Sequence, residues 1–218
     1  MKAIFSNHNF TPSWIKDYDF DYLIYDRSDN KDYLKDFPQD RIIYVENKGT
    51  DIYDKFGWII ENYDNLPDVV LLSKSNLFKY ISKEEFDLVK DNKIFTPLLT
   101  QNHKTYLPVC YYESGLYYEI NDYWYLGSHP AKHSQEIIDI FKMGKRYYNA
   151  MAPGSNYILP KENILKHPKE LYEKLRSFLE WDVYPGDAQL LERNLFYLWN
   201  THQFLMSIGT IGGVSTNY

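Results

Sequence analysis

Four short polar clusters hold the residues of this chain best suited to chemistry: Asn7-His8-Asn9, Asp26-Arg27-Ser28-Asp29, Asn47-Lys48-Gly49-Thr50 and Ser73-Lys74-Ser75-Asn76. Each follows an apolar run and offers amide, carboxylate, hydroxyl or ammonium groups to a polar ligand. Asp26, at the end of its run, is a candidate for holding Mg²⁺ or Mn²⁺ together with a phosphate. Asp17, Asp19 and Asp21 precede a run and read as an acidic turn. Lys48, Lys74, Arg27, Lys145 and Arg146 are the cations an anionic ligand would need in a chain of net charge −6. Asn47-Lys48-Gly49 lies ahead of a helical pattern, where free backbone N–H groups can take an anion. Asp51 and Asp54 in the first turn more simply complement the helix dipole. The Gly-x-x-x-x-Gly-Lys-Ser/Thr spacing of a P-loop is missing.

Farther along, Pro185-Gly186-Asp187 leads into Glu192-Arg193. Asp187 stands where a helix N-cap belongs. Glu192, a carboxylate beside an arginine, is a candidate base toward an acceptor hydroxyl, with Asp187 as the other candidate. His129 and His133 are four apart, but Pro130 between them and the lack of a His-Glu-x-x-His pattern favour a helix start over a metal pair.

The elements that must position these groups follow from hydropathy. Residues 2–6, 22–25, 41–45 and 69–72 are short apolar runs bounded by turn signals, as in strands buried on both faces of a parallel sheet. Between the third and fourth, Ile52, Phe56, Ile59, Ile60 and Tyr63 recur at helical spacing, with Thr50 or Asp51 as the expected cap. Strand, helix and strand make a right-handed βαβ unit. Ser82 and Glu85 form a capping box that opens another helix. The Tyr-rich run 117–125 suits a strand or an aromatic-lined loop. A helix over 131–143, a strand over 156–159, a helical zone over 160–180 and a last helix over 187–206 follow. The alternation predicts an α/β fold with a mostly parallel central sheet flanked by helices. One domain is expected over 1–206, with a flexible tail over 207–218. Ligands of such sheets sit beyond the carboxyl ends of the strands, where all four polar clusters fall.

Composition narrows the function classes. A single cysteine, Cys110, excludes an internal disulfide framework and a cysteine-rich zinc module. Thirty acidic against 24 basic residues argue against a general nucleic-acid binder, whose affinity comes from clustered cations. The apolar stretches fall well short of the roughly 20 residues of a membrane-spanning helix, and Asn7-His8-Asn9 interrupts the start, unlike a secretory leader. A cytoplasmic protein is expected. The 22 tyrosines suit a carbohydrate-stacking surface but equally an AT-rich codon bias, so the count alone selects neither.

Two stretches carry a family resemblance. Asn47-Lys48-Gly49, Asp51 and the run 59–72 (IIENYDNLPDVVLL) resemble the central signature of a family with members in fungi, bacteria and viruses. That family is distantly similar to GT-A-type glycosyltransferases. The second stretch comprises Pro153-Gly154-Ser155-Asn156-Tyr157, Glu162-Asn163-Ile164, His167-Pro168-Lys169-Glu170-Leu171-Tyr172 and the closing Leu190-Leu191-Glu192-Arg193. Together the matches span about residues 47–199 in the family's order. The resemblance implies a GT-A-like (Rossmann-like) sheet and transfer of a sugar from a nucleotide sugar, such as a UDP-linked one, to a glycan or other hydroxyl acceptor. On that reading Asn7, Asp26, Lys48, Asp51 and Lys74 are expected to bind the donor, with Glu192 or Asp187 as base. Tyr117, Tyr118, Tyr123 and Trp124 would line the acceptor groove. GT-A enzymes hold Mn²⁺ or Mg²⁺ on Asp-x-Asp after a central strand; Ser73-Lys74-Ser75 stands there instead, so no metal ligand is assigned. Thr50-Asp51 replaces the family's Arg-Glu. The other expectation is a non-catalytic carbohydrate-binding or structural protein on the same scaffold.

Overall fold

Val70, Leu71 and Leu72 show how the sheet is built: all three are fully buried, yet they face opposite sides. Val70 and Leu72 pack with one hydrophobic cluster and Leu71 with the other, as the two-residue period of a strand requires. In the computed structural model, which describes residues 1–99, 109–113, 116–120, 131–141 and 151–200, this pattern recurs along the central strands.

The elements are β1 (Lys2–Asn7), β2 (Asp21–Asp26), β3 (Ile42–Tyr44), α1 (Thr50–Asn62), β4 (Val69–Lys74), α2 (Lys83–Val89) and β5 (Thr96–Pro97). They continue with β6 (Val109–Glu113), β7 (Leu116–Ile120), α3 (Ser134–Phe141), β8 (Tyr157–Pro160), α4 (Lys161–Ile164), α5 (Lys169–Ser177) and α6 (Gly186–Trp199). A six-stranded sheet runs in the order β3-β2-β1-β4-β8-β5. Its β3–β2, β2–β1 and β1–β4 pairings are parallel, and β8 lies antiparallel to both β4 and β5. The fold is therefore α/β, with a mixed, mostly parallel sheet between two helical layers. Strands β6 and β7 form a separate antiparallel hairpin, so the Tyr-rich run begins as strand.

Each face of the sheet has its own core. On one side, Ile4, Val70, Leu72, Tyr157 and Leu159 meet apolar residues of α1, α3, α5 and α6. Phe56 of α1 stands edge-on to Tyr172 of α5, with ring centroids 5.8 Å apart. On the other, Ala3, Phe5, Ile24, Leu71 and Ile158 pack with Trp14, Leu34, Leu77 and Phe86. Full burial of each such aliphatic or aromatic side chain contributes about 1.5–3 kcal/mol. Among the described residues, no helix is long and apolar enough to cross a membrane.

The helix starts divide. Ser82 and Glu85 form the expected capping box, each side chain accepting the other's backbone N–H. At α1, however, neither Thr50 nor Asp51 caps: Gly49 is the N-cap residue, with φ 64°, and Thr50 follows with φ 62°. Asp51 turns its carboxylate away from the helix N–H groups toward the buried Lys55 and the partly exposed Lys74. The loop is held instead by Gly49 N–H donating to the Asp182 carbonyl at 2.9 Å and Thr50 N–H to that of Val183 at 3.3 Å. A Cβ on Gly49 would stand 2.8 Å from the Leu179 carbonyl oxygen, so the close approach itself requires glycine. At α6, Pro185 is the N-cap residue and Asp187 lies inside the first turn. The 160–180 zone divides at Pro168, the N-cap of α5. The expected tail over 207–218 lies outside the described residues.

Candidate functional site

From β1 the chain steps outward through β2 to β3, then returns through α1 to β4 on the other side of β1. Strand order thus reverses between β1 and β4, where loops leaving parallel strands diverge and open a crevice. A cleft of about 260 Å³ lies at this point. Ser6, Asn7 and His8 reach it from β1, Arg27 from β2, and Lys74, Ser75 and Asn76 from β4. Thr50 and Asp51 enter from the start of α1, and Tyr184, Gln189 and Glu192 close the far side.

The floor is an ionic knot around Asp51. One carboxylate oxygen accepts from Lys55 Nζ at 2.6 Å and from the Ser155 hydroxyl. The other lies 3.2 Å from Lys74 Nζ. Lys55 is wholly buried, and its ammonium also donates to the Ser155 hydroxyl at 2.6 Å and the Ser155 and Gly154 carbonyls at 2.8 and 3.2 Å. Burial alone would raise the Asp51 carboxyl, but Lys55 and Lys74 beside it, with hydrogen bonds from Lys55 and Ser155, hold it well below the usual carboxylate range. Burial lowers Lys55, against the pull of Asp51. Burial would lower Lys74 too, yet Asp51, Tyr80 and Glu192 outweigh it and raise the ammonium above its ordinary value. Lys74 therefore keeps its charge, with its side chain 29% exposed at the cleft.

A second knot lies at the ends of β1 and β2. Asn7 donates to Asp26 Oδ1 at 3.0 Å and accepts from the Ser75 hydroxyl, tying three strand ends together. Asp26 is fully buried and also accepts from the Ser28 hydroxyl at 2.6 Å. Arg27 reaches over α1, donating to the Lys48 carbonyl at 3.1 Å and placing Nη2 2.6 Å from Asp54 Oδ2. Burial pushes Asp54 up to about 6, against the pull of Arg27. On the opposite wall Glu192 accepts from the Gly154 N–H at 2.6 Å and from Arg193 Nη1 at 2.7 Å.

Of the residues expected to bind a donor or act as base, Asn7, Asp51, Lys74 and Glu192 meet on this cleft, joined by Arg27 and other members of the four polar clusters. Asp26 is close behind them, positioning Asn7 and Ser28 without lining the cavity. Lys48 contributes its carbonyl to Arg27 and is not among the lining residues. Asp187 also stands apart: fully buried, it accepts from the Lys132 and His133 N–H groups at 3.1 and 2.7 Å and from Trp181 Nε1 at 2.8 Å. It fastens the start of α3 to α6. His133 stacks on Phe178, with ring centroids 4.7 Å apart. Tyr117 and Tyr118 lie on β7, while Tyr123, Trp124, His129, Lys145 and Arg146 lie outside the described residues.

Sequence reasoning missed Lys55 and Ser155. The four-residue spacing of Asp51 and Lys55 was the available signal, since it puts both on one helix face. Nothing local announces that Ser155, a hundred residues on and at φ 52°, closes the same knot.

Mn²⁺ or Mg²⁺ does not fit this donor set. Among the described residues, no three His, Cys, Asp or Glu side chains come together to hold an ion. The carboxylate nearest the end of β4, Asp51, already faces two ammonium groups. Compared with family models, curated proteins and solved structures, the chain matches none of them.

Proposed function

We propose that this cleft binds a nucleotide sugar and that the protein is a glycosyltransferase passing the sugar to a hydroxyl of a glycan or similar acceptor. One observation carries the reading: Asn7, Asp51 and Lys74, from three separate segments, converge with Glu192 on a single cleft at the sheet's switch point. The resemblance of residues 47–199 to a GT-A-like family points the same way. The end of β4 supplies a cation for the phosphates. Tyr184, 48% exposed at the rim, presents an aromatic face to a base or sugar ring. Glu192 stands across from Lys74 as the group to take the acceptor hydroxyl proton. Its carboxylate has about four lone-pair sites, so the Gly154 and Arg193 bonds leave capacity for a substrate hydroxyl.

The test is calorimetry against a panel of nucleotide sugars, followed by turnover assays on Glu192→Gln. Tight binding by the wild type is expected, with binding retained and turnover lowered by about 10²–10⁴ in the variant. Absence of any nucleotide-sugar binding refutes the reading, and unchanged turnover removes Glu192 from the mechanism. A non-catalytic carbohydrate-binding protein is the alternative. The partners already held by both oxygens of Glu192, and Ser73-Lys74-Ser75 in place of Asp-x-Asp, favour it. Binding of free glycan without nucleotide would select it.

A further inference from the structure

The floor of the cleft is not electrically balanced. Asp51 stands between two ammonium groups, Lys55 Nζ at 2.6 Å and Lys74 Nζ at 3.2 Å. The other charges around the cleft have opposite partners: Glu192 has Arg193 at 2.7 Å and Arg27 has Asp54 at 2.6 Å. Among these described groups, two cations serve one anion, and the surplus belongs to whichever lysine can reach a ligand. Lys55 cannot, being wholly buried and bonded to Asp51, Ser155 and Gly154. Lys74 can. It lies at the carboxyl end of β4, its side chain is 29% exposed, and its ammonium has three donors of which Asp51 uses one. Lys55 and Ser155 hold Asp51 Oδ2 from behind while Oδ1 faces Lys74, so a ligand that shares the Lys74 ammonium leaves the carboxylate its nearest cation.

We infer that the cleft binds the diphosphate of its ligand without a divalent cation, with the Lys74 ammonium neutralising the phosphate oxygens and the Asp51–Lys55 pair holding that ammonium in place. The inference rests on the nucleotide-sugar reading for its biological ligand, but concerns the diphosphate alone. It accounts for Ser73-Lys74-Ser75 where a metal-holding Asp-x-Asp would otherwise stand, and for an Asp51 already occupied by two lysines. An ammonium is a compact point charge suited to this role, whereas a divalent ion here would meet ammonium groups where it needs free carboxylates.

Calorimetry on the full chain with inorganic pyrophosphate and with UDP, each in EDTA and in Mn²⁺, tests it on wild type and Lys74→Met. Both probes should bind in EDTA, with affinity changing less than about threefold on adding Mn²⁺ and falling about tenfold or more in the variant. Binding seen only with Mn²⁺, unchanged affinity in Lys74→Met, or no binding of either probe overturns the inference. Pyrophosphate bound in EDTA through Lys74 while no nucleotide sugar binds upholds it and removes the glycosyltransferase reading. Nucleotide bound only with Mn²⁺ does the reverse. A variant-free check guards against misfolding: pyrophosphate in EDTA should protect Lys74 from reductive methylation read by mass spectrometry, and equal labelling with and without it is a refutation.

Discussion

Replacing Lys55 with methionine tests the ionic knot directly. The ammonium is wholly buried and has contacts at 2.6 Å to Asp51, 2.6 and 2.8 Å to Ser155, and 3.2 Å to the Gly154 carbonyl. Methionine keeps much of the shape but leaves Asp51 short of its nearest cation. Removing one member of a buried pair costs about 3–5 kcal/mol, and Lys74, remaining 3.2 Å from Asp51, puts the loss near the low end. For 218 residues the unfolding entropy is about 0.46 kcal/mol/K, so about 3 kcal/mol lowers Tm by about 6 °C. Asp51→Asn in the Lys55→Met background removes the stranded charge and should recover about 1–2 kcal/mol. The assay is thermal unfolding of the wild type, both single variants and the double at pH 7.5, completing a double-mutant cycle. The acid limb gives a second signature. Asp51 titrates below its unfolded value in the wild type, so its stabilisation is present above about pH 3.9 and lost as pH falls through the depressed value. Without Lys55 that loss begins at higher pH. A Lys55→Met Tm within about 1 °C of wild type, or losses additive within about 0.5 kcal/mol, would refute the coupling.

Asp54 makes the opposite pH prediction. Its folded-state value of about 6 exceeds the unfolded one, so the folded state keeps a proton that the unfolded chain has released, and stability falls as pH rises through that window. The decline approaches about 3 kcal/mol between about pH 4 and 6 at most, and urea titrations should show it in the wild type and lose it in Asp54→Asn; parallel pH profiles would contradict the assignment. Asp187→Asn should lower Tm by several degrees, because one carboxylate now serves the Lys132, His133 and Trp181 N–H groups together. It should leave nucleotide affinity within about threefold, and a selective loss of turnover at unchanged stability would return Asp187 to the mechanism.

The sheet was legible because burial on both faces leaves its mark on composition. Val69 to Leu72 are apolar without interruption only because Val70 and Leu72 serve one core and Leu71 the other. The same reasoning located the polar rim, since residues just beyond such strands fall at the carboxyl edge of the sheet. It did not foresee that β8 enters antiparallel beside β4, because pairing direction depends on the long segment between them and a four-residue run has no direction of its own. The helix caps were legible where the cap is local, as at Ser82 and Glu85. They were misread where a tertiary partner won, as when Asp51 chose Lys55 and Lys74 over its own helix N–H groups, or Asp187 those of Lys132 and His133.

These misreadings share a physical cause that bears on the site itself. A carboxylate near a helix start has two competing uses: capping exposed N–H groups for about 1 kcal/mol, or compensating a buried charge whose stranding costs several times more. The bigger free energy decides, so an acidic residue in a first turn leaves the cap whenever a buried cation comes within reach. Asp51 follows this rule with Lys55 one turn on, and the consequence reaches the cleft. Had Asp51 stayed on the helix, Lys74 would face the cavity with no buried anchor, free to swing among rotamers. Because Asp51 is engaged by two lysines, Lys74 is held at the end of β4 with donors to spare, and the order of the cleft floor is a by-product of burying Lys55.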